Sequence, residues 1–149
     1  MSAFNQMNSY LRFCIDYAHG HEVRGRLFSQ RFTQPVEFTD LADLGLFLEE
    51  VFDVQKYPQA FQSARTIVKH KSDLSCVVTD PSDGMASSVV REAHGSVTTF
   101  DIVVTSRRCS TWQGSINWLS GEEAHSFSSY LALMHLIHHR LFPESIRVT

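Results

Sequence analysis

Cysteine is scarce in this chain of 149 residues. Cys14, Cys76 and Cys109 are an odd number at wide spacings, which gives neither a disulfide framework nor a C-x-x-C zinc or redox site. They read as free thiols. No apolar run approaches the roughly 18 residues that a membrane-spanning helix needs. The polar stretch from Met1 to Asn8 has no basic residue and no apolar segment ahead of a small-residue cleavage site. A secretory signal is therefore not indicated, and the cytoplasm is the expected compartment. Basic residues are in the minority, 13 Lys and Arg against 16 Asp and Glu. That balance repels a phosphate backbone and argues against nucleic acid as the partner. Also missing are a glycine-rich phosphate loop, a G-x-S-x-G elbow and a dinucleotide fingerprint, the common signatures of nucleotide and hydrolase chemistry.

Hydrophobic residues make up 43% of the chain, and a chain this long suffices for one domain, residues 1–149, with a real core. Leu11, Phe13, Ile15 and Tyr17 alternate with Arg12, Cys14 and Asp16, the period of a strand buried on one face. A turn at His19-Gly20-His21 leads to Val23, Gly25 and Leu27, alternating with Arg24, Arg26 and Phe28, so a hairpin partner follows. After Pro35 comes a short extended piece with Val36 and Phe38. Thr39 or Asp40 then caps a helix bearing Leu41, Leu44, Leu48, Val51 and Phe52.

The same order recurs. Phe100, Ile102 and Val104 alternate, as do Trp112, Gly114, Ile116 and Trp118; Phe127 follows, and Ser128 or Ser129 caps a helix with Leu133, Met134, Ile137 and Leu141 that Pro143 ends. Residues 10–53 slide onto 99–142 without a gap, setting Gly25 on Gly114, Phe38 on Phe127 and Leu44 on Leu133. Those are the only identities, but hydrophobic residues coincide at 13 positions, where random placement gives about 9.5. The expected fold is α+β and two-layered: a mainly antiparallel sheet of about six strands from two tandem β-β-β-α units, with two helices on one face. A partly irregular segment, 54–98, joins the units. Within it Leu74 to Thr79 reads as a short strand, and the stretch from Asp80 to Ser88 has loop composition.

Two short stretches, Tyr57-Pro58-Gln59-Ala60 and Thr111-Trp112-Gln113-Gly114 followed by Trp118 and Phe127, resemble a family of small bacterial proteins that share Y/F-P-Q-A and T-W-Q-G motifs and have no assigned function. The resemblance implies a bacterial cytosolic protein and supplies no catalytic residue.

Three arrangements could carry chemistry. His135, His138 and His139 are spaced to share an ion from one helix face, though no carboxylate or cysteine completes the set locally; the other reading is histidines at a helix C-terminus, favoured there by the dipole. His19 and His21 flank a turn glycine. Cys109, beside Arg107 and Arg108, has neighbours that favour a thiolate but no histidine or acid at triad spacing. Glu49-Glu50 and Glu122-Glu123 read as a helix face and a hairpin tip. No catalytic residue, cofactor or metal is assigned.

The face opposite the helices is expected to be open, with Phe28 as the one apolar residue near its middle. Only one aromatic there is too few for stacking RNA bases. The expected function is a non-catalytic binding or interaction module that self-associates or binds a protein, through Arg24, Arg26, Phe28, Tyr57, Pro58 and Phe61. The alternative is a small enzyme or metal-dependent protein using the His-rich C-terminal helix. RNA binding on the sheet face ranks third.

Overall fold

The computed structural model describes residues 3–59, 73–109 and 111–143. Its elements are β1 (Leu11–His19), β2 (Glu22–Phe28), β3 (Val36–Phe38), α1 (Leu41–Gln55), α2 (Ser87–Glu92), β4 (Thr98–Ser106), β5 (Gln113–Asn117), β6 (His125–Phe127) and α3 (Tyr130–Leu141), with a 3-10 turn at Pro81–Asp83. The strands form one antiparallel sheet in the order β3-β2-β1-β4-β5-β6. This is the α+β class that the alternating strands and capped helices predict. Among the described residues no helix is long and apolar enough to cross a membrane.

Local chemistry explains the boundaries. Gly20 and His21 take φ of 61° and 70°, the left-handed pair that lets a two-residue turn match the twist of β1 and β2. Asp40 caps α1, accepting from the amides of Ala42 and Asp43, and Ser129 caps α3, accepting from Ala132. In each candidate pair of caps the second residue does the work.

The landmarks of the first half recur 89 residues on. α1 and α3 start at Leu41 and Tyr130, and β3 and β6 coincide throughout. Gly25 lies between Ile15 and Phe38 across the strands, and Gly114 lies between Val104 and Phe127. Even the register irregularities fall at matching places, Ile15 to Tyr17 and Val104 to Ser106. Both glycines are needed for close backbone approach. A Cβ at Gly25 would stand 2.2 Å from the Cys14 carbonyl oxygen, and one at Gly114 would stand 2.0 Å from that of Val103.

One face of this sheet supplies Leu11, Phe13, Ile15, Leu27, Phe100, Ile102 and Ile116 to a single core with Leu44, Leu48, Val51 and Phe52 of α1 and Leu133 and Ile137 of α3. Trp112 and Trp118 belong to it, meeting Phe52 and Phe100 edge-on with ring centroids 5.0 Å apart. The opposite face departs from expectation, because it is not open throughout. Cys14 and Phe28 are buried there against Val90 of α2 and Ala93. The connecting segment thus covers the first half of that face. It contains α2 and, where a strand was expected at Leu74 to Thr79, only an isolated bridge from Phe32 to Val77.

The seam between halves is β1 against β4, where Arg12 stands opposite Asp101. Arg12 donates through Nε to Asp101 at 2.5 Å and through Nη1 to the carbonyls of Arg91 and Ala93 at 2.7 and 3.2 Å. It therefore ties α2 to the sheet. Burial alone would pull this guanidinium down, but the hydrogen bonds and charge of Asp101 hold its pKa above the ordinary arginine value.

Phe38 and Phe127 fill matching places beside the two glycines and are almost fully buried. Truncating either to Ala should cost about 3–5 kcal/mol in urea melts, as loss of a buried aromatic ring does. A loss below about 1 kcal/mol at either site would show that the ring is not part of the core.

Candidate functional site

The structure does not bring the five described residues of the sequence-predicted surface together. Phe28 is 8% exposed, roofed by Val90 and Ala93, because the chain between the halves folds back over it. Arg26 lies over the Phe28 ring and is engaged by Asp16, with Nε to Oδ2 at 2.8 Å, and by the His94 carbonyl at 2.8 Å. Arg24 remains at the surface, stacked 4.5 Å from the Tyr17 ring centroid and paired with Glu22. Tyr57 and Pro58 belong to the helix side instead, joined by a cis peptide bond just beyond α1. Phe61 lies outside the described residues.

Tyr57 and Pro58 are held by two arginines that sequence reasoning did not single out. Arg31, 1% exposed, donates to the carbonyls of Ser9 (2.9 Å) and Tyr57 (2.9 Å) and to Gln55 Oε1 (2.6 Å). Its guanidinium lies over the rings of Phe52, Phe4 and Tyr57. No carboxylate among the described residues pairs with it, and burial pushes its pKa down to about 9. It is still a cation at neutral pH, so the oxygens and ring faces offset a desolvation that would otherwise be costly. Arg107, also buried, donates to the Pro58 carbonyl at 2.6 Å, to Glu49 at 3.0 Å and to Asp53 at 2.8 Å. Trp112 Nε1 donates to the other oxygen of Glu49. The Tyr57-Pro58 and Trp112-Gln113 motifs therefore meet on α1, around Glu49. Gln113 closes the β4 to β5 turn, accepting from the Arg108 amide and the Ser106 hydroxyl.

This arrangement changes the reading of Cys109. The thiol is exposed in a left-handed turn with φ of 56°, but the guanidinium of Arg107 points into the core, neutralised by two carboxylates. The helix histidines also separate. His135 and His139 are exposed, while His138 is half-buried with its ring 5.6 Å from that of Phe142. Among the described residues no group of three or more His, Cys, Asp or Glu side chains is placed to hold a metal ion.

His138 lines a groove of about 240 Å³ between the β1 to β2 turn, the start of α1 and the end of α3. His21, Glu22, Asp40 and Met134 line it too, and the His21 ring lies 5.3 Å from Phe142. Burial first, then the proximity of His21 and His135, hold the His138 pKa below the ordinary histidine value. The helical spacing of Met134 and His138 was visible in the sequence; the approach of a turn more than a hundred residues away was not. A larger cleft, about 570 Å³, adjoins the end of α1 at Gln55, Lys56, Gln59, Thr79 and Asp80.

The second half of the face opposite the helices has nothing over it among the described residues. Cross-strand neighbours Val103, Ser115 and Ser126 form a row there, flanked by Thr105 and Asn117, all partly or fully exposed. Compared with known protein families, with curated proteins and with solved structures, the chain finds no match.

Asp16 links this face to the connecting segment, accepting from Arg26 and from the Ser96 amide at 3.1 Å. The Arg26 hydrogen bond above all holds its carboxyl below the usual aspartate value. A carboxyl depressed in the folded state stabilises above its unfolded pKa of roughly 3.9, and that contribution is lost as pH falls through the lower folded value. Asp16→Asn should therefore lower stability at pH 7 and lose less than the wild type between pH 5 and pH 2.5 in urea melts. Parallel pH curves for the two proteins would contradict this role.

Proposed function

We propose that the protein is a non-catalytic interaction module that self-associates through the uncovered half of its sheet, and that its halves are copies of one β-β-β-α unit. The observation that carries the reading is an asymmetry at matching positions. Cys14 and Phe28 are roofed by α2, whereas Val103 and Asn117, 89 residues on, are partly or fully exposed with nothing over them among the described residues. An antiparallel sheet can keep one face in water. Here the row of Val103, Ser115 and Ser126 is made of small side chains, which lets a second sheet approach to the spacing of about 10 Å at which sheets pack. A second copy meeting the same row about a two-fold axis would place Ser115, the middle of the row, near the centre. The surface expected around Phe28 thus moves to the other half, because the chain's own segment occupies the first.

Such an interface should bury at least roughly 1,000 Å² in total. Sedimentation equilibrium should find a dimer for the wild type and a monomer for Ser115→Asp with unchanged circular dichroism, since a charge at the centre of an interface is desolvated without a partner. A wild type that stays monomeric at high micromolar concentration would overturn the proposal.

A further inference from the structure

The groove at the β1 to β2 turn assembles donors that no single stretch of sequence contains. Met134 and His138 lie four residues apart on α3, so they share one helix face, and both line the groove. His21 lines it from the opposite wall, carried there by the left-handed turn residue position itself. The rings of His21 and His138 both pack against Phe142, at 5.3 and 5.6 Å between centroids. Two imidazoles and a thioether therefore line one groove of about 240 Å³.

The two carboxylates at the rim each have a partner already, Asp40 through its Oδ1. Glu22 pairs with Arg24 at 3.0 Å, and Asp40 caps α1 by accepting from the amides of Ala42 and Asp43 at 2.7 and 3.1 Å. Magnesium and calcium take about six or more oxygen ligands, whereas the carboxylates lining this groove are those of Glu22 and Asp40. A thioether with imidazoles suits a soft ion of low charge, and cuprous copper is the ion that such sulfur ligands select. The neighbouring carboxylates lend negative potential without having to leave their partners.

We infer that His21, Met134 and His138 form a binding site for a soft monovalent metal ion, copper(I), that joins the β1 to β2 turn to the end of α3. The site is independent of the sheet-face interface, which lies among β4, β5 and β6.

Thiols bind the same ion, so the test uses the full chain carrying Cys76→Ser and Cys109→Ser, leaving only the buried Cys14. Copper(I) kept reduced with ascorbate, and silver(I) as a redox-inert substitute, are titrated against a competing copper(I) chelator. In parallel, NMR follows the methionine methyl and histidine ring signals. The expected result is one equivalent bound, with the Met134 methyl and the His21 and His138 ring signals shifting together. Met134→Leu and His21→Gln, each checked for folding by circular dichroism, should each weaken binding by about tenfold or more, whereas His135→Gln and His139→Gln should leave it unchanged. The inference is overturned if the Met134 methyl does not move, if Met134→Leu binds as the parent does, or if zinc(II) binds more tightly than copper(I).

Discussion

The cross-strand pair of Arg12 and Asp101 is where the two halves of this protein become one sheet. It lies in the β1 to β4 ladder, one pair in from the Leu11 to Ile102 end, and a two-fold relation at an offset of 89 residues would exchange these two positions. A pair of like residues would serve such a place poorly, since like charges directly opposite repel. Here one half supplies the cation and the other the anion. Because Arg12 spends its remaining donor capacity on the carbonyls of Arg91 and Ala93, the same residue that closes the seam also fastens the connecting segment to one side of it. Symmetry in the backbone thus coexists with asymmetry in what covers it.

That asymmetry runs through the charged residues. The first half buries Arg31 among carbonyls and aromatic rings, and the second sends Arg107 back to α1, onto Glu49, Asp53 and the Pro58 carbonyl. Both guanidiniums approach Phe52, at 4.6 and 5.6 Å from its ring centroid. The end of α1 is therefore gripped from both halves. On the other face α2 fills the place over Cys14 and Phe28, and among the described residues nothing fills the equivalent place over Val103 and Asn117. A duplicated unit whose copies were free to diverge would keep shared glycines, caps and core rings while changing the residues that meet different neighbours.

Much of the fold was legible because it depends on short-range physics. Alternation marked β1, β2, β4 and β5, and Asp40 and Ser129 announced the helices through their capping chemistry. The offset that set Gly25 on Gly114 was visible in the hydrophobic pattern, although only three residues are identical. What was not legible depends on chain return. Phe28 looks like an exposed aromatic on an open face until Val90 is placed over it, and nothing in the short helix from Ser87 to Glu92 declares where it packs. Arg31 and Arg107 carry no local sign of burial, since their partners lie 22 to 58 residues away in the chain. The groove was half visible, as Met134 and His138 at helical spacing, and half hidden, because His21 reaches it only through the tertiary fold.

One sheet runs unbroken through the β1 to β4 seam, which should make the two halves fold as a unit. Native-state hydrogen exchange measured residue by residue tests this directly. The seam strands should exchange most slowly, with the amides of β1 and β4 and the cores of both halves sharing one opening free energy equal to that of global unfolding. Two separate opening events, one for residues 11–55 and another for residues 98–141, would contradict it.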